Sequence, residues 1–413
     1  MNSLSFIIII SLFLLWNLEF IASLLNIKTF PGSPPRELEG FMDQEKLDRA
    51  RSYLLVNTRF DLFRATVSLA LLFVFWMCHG FGAVDDFARS FSGNEIVVGL
   101  IFLSILFLAQ NIVSLPFDFY ATFVIEEKFG FNKSTRALFF IDRIKGLLLS
   151  AGIGLPLVAG ILWIFSSVEH AWIWAWGFVT VFQLILTYLA PSLILPIFNK
   201  FTPMPDGGLK KGIEALGEKC GFPLKGVFTI DGSKRSTKAN AYFTGFGKYK
   251  KIALFDTLLE KSTNQEILAI LAHEIGHFRL NHIKQRLVVG ILQMAMIFFL
   301  IGLATDPSGL FARELHTAFF IEKISPHTGL VLFTILLEPV SKALAVLANA
   351  WSRKHEFEAD AYASQSTGAP EALASALKKL SSDYLAHPAP HQLRIVLDYS
   401  HPPLLQRLQA LMK

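Results

Sequence analysis

An all-α polytopic membrane protein, with seven transmembrane helices and a small α+β cap outside the bilayer, is the fold class this sequence predicts. Three observations predict it. Of 413 residues, 53% are hydrophobic and only 17% charged, and the mean hydropathy of +0.46 lies outside the range of an ordinary soluble enzyme. Seven apolar runs are each long enough, at roughly 17–25 residues, to cross a hydrocarbon core. Residues 201–285 interrupt them as the one sizeable polar block, with helix-type and strand-type patterns side by side.

The spans are expected near residues 4–25, 62–84, 96–116, 145–167, 171–196, 286–305 and 327–350. The first lacks a basic leader and a small-residue cleavage site, so it is expected to be retained rather than removed as a signal peptide. Basic residues sort the connections. Lys28, Arg36, Lys46, Arg49, Arg51 and Arg59 fall between spans one and two, and Lys128, Lys133, Arg136 and Arg143 mark the third connection. Only Arg89 lies between spans two and three, no Lys or Arg in the fourth connection, and only Arg313 and Lys323 between spans six and seven. Rich and poor loops alternate, so the positive-inside rule puts the polar block on the cytoplasmic side and the N-terminus opposite. The net charge of +5 is ordinary for a membrane protein and implies no nucleic-acid partner. Cys78 and Cys220 fall in different environments and are expected to stay free thiols.

The chain therefore divides into residues 1–200 with five spans, 201–285 as a polar block, 286–350 with two spans, and 351–413 as a second polar block. Neither polar block is long enough for a large core of its own, so the two are expected to pack together as a cap. Leu209–Cys220 reads as a helix ending at Gly221, and Gly226–Ile230, Ala239–Gly245 and Lys251–Phe255 as short strands. A Gly-containing turn is expected to join the last two.

Chemistry enters at His273-Glu274-Ile275-Gly276-His277. Thr263-Asn264-Gln265-Glu266 is a capping box that opens a helix, and Ile267, Leu268, Leu271 and Ile275 give it an apolar stripe. On that helix His273 and His277, four apart, share a face and can hold one metal ion, while Glu274 reaches a water beside it. Two imidazoles and an adjacent carboxylate suit a zinc hydrolase. A third protein ligand must come from elsewhere. The best stretch follows span seven, where Glu356 and Asp360 share a face and Glu358 points away. Glu356 would be the ligand, with Asp360 bonded to a ligand imidazole. The alternative is a solvated charged face of Arg353, Lys354, Glu356 and Asp360.

His-Glu-x-x-His followed far downstream by Glu356-Phe357-Glu358-Ala359-Asp360 resembles the integral-membrane CAAX prenyl proteases, type I zinc enzymes. So do Glu126–Asn132, Phe198–Pro203, Asp231–Arg235, Asn240–Phe246, Leu254–Leu259 and Tyr399–Pro403. The resemblance covers nearly the whole chain. It implies seven transmembrane helices around a large internal chamber, with a zinc metalloprotease cap at the cytosolic end. It implies one zinc per chain on His273, His277 and Glu356, with Glu274 as general base. It makes His401 and Arg407 helpers near the scissile carbonyl, and Asn240 and Ala241 a strand edge for an extended substrate. The implied substrate is a peptide or lipidated protein C-terminus, cut to release its terminal tripeptide. A quality-control metalloprotease with unlipidated substrates, or a non-catalytic metal-binding scaffold or transporter, are the alternatives. The short connection between spans six and seven, and the lack of an obvious C-terminal retrieval signal, favour a bacterial inner membrane over the endoplasmic reticulum. Oligomeric state is not legible. In span seven, Glu338 and Lys342 stand four apart and can pair, and are expected to face the interior.

Overall fold

The structure, a computed structural model, describes residues 1–244 and 250–412. The turn expected between the second and third strands, with Gly245 and Gly247, lies outside the described residues. Among the described residues seven helices are long and apolar enough to cross a membrane. They start where the sequence places caps. α1 (Ser3–Lys28) opens on an Asn2–Ser5 capping box, and α2 (Gln44–Met77) on Asp43, whose carboxylate accepts from the Lys46 amide. α2 ends earlier than expected. At His79 the backbone turns left-handed (φ 58°) and a separate helix, α3 (Gly80–Arg89), takes the rest of the apolar run. Then come α4 (Glu95–Tyr120), continued by a π-helical segment to Glu126, α5 (Arg136–Ser167), α6 (Ala171–Leu193) and the single turn α7 (Leu195–Phe198).

The cap begins with β1 (Phe201–Pro203) and α8 (Gly208–Lys219), which ends at Gly221 with φ 59°. β2 (Leu224–Ile230), β3 (Ala241–Thr244) and β4 (Lys250–Phe255) follow. The sheet order is β1-β2-β4-β3: β2 runs parallel to β4, and the outer pairs are antiparallel. β3 is thus an edge, registered by Ala241 opposite Leu254 and Phe243 opposite Ile252. The three-residue β1 was not expected, because so short a segment displays no period.

After α9 (Asp256–Lys261), α10 (Asn264–Arg279) opens on the Thr263–Glu266 capping box, both arms of which are made. Asn281 at φ 59° breaks it from α11 (His282–Thr305). α12 (Leu310–Ala318) leads to α13 (Pro326–Thr367), one helix of 42 residues with Pro326 in its first turn and Gly368 (φ 68°) after its end. α14 (Pro370–Asp383), α15 (Gln392–Asp398) and α16 (Leu404–Leu411) complete the chain.

Packing joins what the sequence separates. Ile213, Val227, Ile252, Leu254, Leu271 and Ile275 share one core with Ala363 and Leu373, so the two polar blocks form a common cap. Each such fully buried aliphatic side chain contributes about 1.5–3 kcal/mol. A second core joins Leu38 and Leu47 of the first connection and Phe129 and Phe131 of the third to Ala374, Leu385 and Leu408. These two basic connections therefore lie at the same end of the bundle as the cap. The opposite end is closed by Trp76, stacked on Phe319 at 4.1 Å, together with Ile8, Phe81 and Phe102.

A charged cluster sits inside the bundle. The pair that four-residue spacing allows between Glu338 and Lys342 is not formed. Lys342 Nζ instead bonds Glu19 of α1 and Asp398 of α15, the latter at 2.7 Å, and Arg394 binds the same two carboxylates at 2.8 and 3.0 Å. One intrahelical partner on an exposed surface loses to two carboxylates converging across helices. A cavity of about 640 Å³ beside this cluster is lined by Glu19, Asn57, Asp61, Arg394 and Asp398 and reaches His401.

Candidate active site

α10 presents His273 and His277 one turn apart, and α13 presents Glu356 against them. The helices meet closely because Gly276 has no side chain: a Cβ there would lie 3.2 Å from Ala359 Cα and 3.2 Å from Tyr362 Cβ. The imidazole Nε2 atoms are 3.2 Å apart. Glu356 Oε2 is 3.4 Å from His273 Nε2, and Oε1 is 3.3 Å from His277 Nε2. One ligand atom from each of the three side chains lies within 4.8 Å of the others.

Whether a metal ion suits this cluster can be judged from its donors. Glu356 is buried, and its Oε2 has no hydrogen-bond partner. Two nitrogens face one another where at most one could carry a proton between them. Lone pairs converging in a buried place leave a gap in charge that a divalent cation fills, and two nitrogens with one carboxylate oxygen is a zinc-type donor set.

Supporting groups surround the cluster. Asp360 Oδ1 lies 2.8 Å from His273 Nδ1, close enough to orient the ring although the contact is too bent for a well-formed hydrogen bond. Asp360 in turn accepts a two-pronged bond from Arg407, at 2.8 Å from Nε and 2.6 Å from Nη2. Arg407 Nη1 is 3.9 Å from Glu356 Oε2. Two of its three nitrogens are thus spent on Asp360, while Nη1 is left on the side of Glu356. The guanidinium is buried, with its fork spent on a carboxylate that needs a counter-charge there. The solvated-face reading of Glu356 and Asp360 fails for the same reason, since both are buried.

His401 sits on the loop before α16 with its side chain 65% exposed and Nε2 3.5 Å from Glu356 Oε1. Ser400 Oγ lies 3.0 Å from its Nδ1, so a hydroxyl proton donated there leaves the ring proton on Nε2, toward the site. Glu274 is half-buried. Burial pushes its carboxyl above the usual range, and the neighbouring His273 and His277 pull it back only in part.

Asn240 and Ala241 stand apart from this group. Ala241 starts the edge strand and packs into the core that holds Ile275. Asn240 precedes it, its carbonyl accepting from the Phe255 amide at 3.0 Å. Among the described residues no hydrogen bond or ion pair links either to the histidines. Two further histidines beside the site, His282 and His355, escaped the sequence reading; with Glu358, which it set aside as pointing away, their ligand-type atoms also lie within 4.8 Å of one another. The only signal for His282 is its place five residues after His277, off the helical face.

Comparison with known proteins agrees with this geometry. Residues 203–413 match peptidase family M48, and residues 24–200 match the CAAX prenyl protease N-terminal domain of five membrane helices. The chain is 38% identical to a rice CAAX prenyl protease 1 homolog, covering 91% of this chain and 89% of the relative. It is 37% identical to CAAX prenyl protease 1 of Saccharomyces cerevisiae, covering 91% and 88%, and 34% identical to a human homolog, covering 93% and 89%. The crystal structure of Saccharomyces mikatae Ste24p superposes with a TM-score of 0.93 at 34% identity, over 100% of both chains. The expected fold class and enzyme class are thereby borne out: the chain belongs to peptidase family M48, among its CAAX prenyl proteases, and is a multi-pass membrane metalloendopeptidase.

Proposed function

We propose that this protein is a zinc-dependent endopeptidase that cuts near the C-terminus of prenylated, CAAX-type proteins and releases the terminal tripeptide. The observation that carries the reading is the convergence of His273, His277 and Glu356 from two distant segments, with Glu274 beside them and a cavity of mixed charged and apolar lining that reaches His401. The names of its relatives support the substrate class.

His273 Nε2, His277 Nε2 and Glu356 would hold one zinc ion per chain, which when bound would supply Lewis acidity at the reacting carbonyl. Glu274 takes the proton of the attacking water and delivers it to the leaving amine nitrogen; its raised pKa suits an exchange in both directions. His401 offers its Nε2–H to the carbonyl oxygen as negative charge grows there. Arg407 holds Asp360 with Nε and Nη2 and helps at the scissile carbonyl with Nη1, which lies 3.9 Å from Glu356 Oε2. The peptide lies extended along β3 from Asn240 and Ala241, adding backbone hydrogen bonds to an open sheet edge. The alternation of basic connections supports a cytoplasm-facing site. The short connection between α11 and α13 supports a bacterial inner membrane, whereas the plant, yeast and human sources of the relatives support the endoplasmic reticulum. Fractionation of the native host decides between them.

Purified protein, stripped of metal and reloaded with zinc, should cleave a farnesylated C-terminal peptide in preference to its unlipidated twin. Equal cleavage would make it a general quality-control protease. Cleavage of neither would make the metal structural and the protein a scaffold or transporter.

A further inference from the structure

The imidazole of His282, the first residue of α11, is 2% exposed and points back at the HExxH helix. Its Nδ1 lies 3.0 Å from Nδ1 of His277, and its Nε2 lies 2.9 Å from Glu358 Oε2. We infer that His282, backed by Glu358, is a positioning residue that fixes the tautomer and ring orientation of His277. The inference rests on the metal-binding role proposed above for His277.

Proton counting gives it direction. His277 Nε2 faces His273 Nε2 at 3.2 Å and Glu356 Oε1 at 3.3 Å, so as a ligand it must present a lone pair there. A neutral imidazole carries one ring hydrogen, which then sits on Nδ1. His277 Nδ1–H donates to His282 Nδ1, which must accept. The hydrogen of His282 therefore resides on Nε2 and is donated to Glu358. One constraint at the metal sets every proton along the row. The plane of His282 is held as well: His355 stacks on it at 3.8 Å and 5°, and Trp351 packs on His355 at 4.8 Å. The Glu358 side chain, 41% exposed, keeps its carboxylate in reach of water, with Lys354 Nζ 3.8 Å away. Asp360 stands behind His273 as His282 stands behind His277, so both imidazoles are backed from outside the donor set.

His282, His355 and Glu358 also form a three-donor group that invites a second cation. The row of protons argues against it, since His282 Nε2 has no lone pair to give while His277 donates to Nδ1. The stacked rings argue against it too. In nearly parallel planes their in-plane lone pairs run side by side instead of converging.

The test is zinc affinity, measured on the full-length protein in detergent by competition with a fluorescent chelator, alongside zinc content and thermal unfolding. His282→Leu removes the acceptor and should weaken zinc binding about 10–100-fold. His282→Asn places its Oδ1 where Nδ1 was, on the same Cγ, and should restore affinity to within a few-fold of the parent. A merely structural role would not sort Leu from Asn in this way. Glu358→Ala, on a partly exposed face, should weaken binding by a smaller factor and serves as the folded variant if His282→Leu unfolds. The inference is overturned if His282→Leu, or in its place Glu358→Ala, binds zinc as tightly as the parent, or if Leu and Asn behave alike. Two zinc ions per parent chain, falling to one in His282→Leu, would replace the relay with a second metal site. A parent chain that binds no zinc would overturn the metal reading of His273, His277 and Glu356 instead, a result distinct from the others.

Discussion

Glu274 and Arg407 touch the same cluster with opposite duties, and each carries a prediction. Glu274 has no place among the three proposed metal ligands, so Glu274→Gln should retain its zinc while peptide cleavage falls at least about a hundredfold. Elemental analysis and a turnover assay on one preparation check both halves. Arg407 is the counter-charge of Asp360, whose side chain is 2% exposed. Arg407→Ala leaves that carboxylate buried without its partner and should cost about 3–5 kcal/mol in denaturant unfolding. Arg407→Lys should recover only part of this, because an ammonium cannot make both arms of the fork. At this scale the HExxH residues were legible, since a four-residue spacing on a helix fixes a shared face. His282 was not: the left-handed backbone at Asn281 breaks the helix, and no periodicity crosses such a break.

Helices α10 and α13 bring the donors together, and their contact depends on Gly276. A valine there would press on Ala359 and Tyr362 of a helix that cannot shift without moving Glu356. Gly276→Val should cost about 1–3 kcal/mol of stability and weaken zinc binding, both measurable by thermal unfolding with and without chelator. The start of α10 has its own dependence on pH. Glu266 caps Thr263 and bonds Lys379 Nζ at 2.8 Å and Ser375 Oγ at 2.7 Å. Burial pushes its carboxyl up, but Lys379 and the hydrogen bonds outweigh that and hold it below the usual range. A depressed folded value means the stabilisation is complete above the unfolded value of about 4.3 and is lost as the pH falls through the folded one. Melting temperatures of Glu266→Gln and the parent should therefore differ at neutral pH and converge in acid. The capping box itself was readable from four adjacent residues; its anchoring to α14 was not, because Lys379 is brought near only by the fold.

Across the whole molecule, α15 ties the bundle to the site. Lys342 of α13 neutralises Glu19 of α1 and Asp398 of α15, and Asp398 lies three residues before His401. Lys342→Met leaves those two carboxylates to share Arg394. With these side chains 24–36% exposed, water screens the cluster, so the cost should be only about 1 kcal/mol. Turnover should nonetheless fall while zinc content stays full, because the loop carrying His401 loses its anchor. Thermal unfolding, elemental analysis and cleavage of the lipidated peptide separate the three effects. The sequence placed Lys342 in an interior and offered it a partner on its own helix that the fold does not use. Four-residue spacing on one helix is visible in a string of letters, whereas the approach of α1 and α15 is not.

Whatever depends on near neighbours was set by the sequence alone: seven apolar spans, the helix caps, the shared face of His273 and His277, and the alternation of basic connections. Their causes act within a turn of helix or a bilayer thickness. Helical register offered Glu356 as the third donor but left a solvated charged face open, and likeness to a family chose between the two. Tertiary structure alone decided that Arg407 supports Asp360, that Lys342 bridges three helices, and that His282 and Glu358 line up behind His277. Those outcomes depend on which buried charges find one another when distant segments pack, and burial makes an unpaired charge too costly to leave to local spacing.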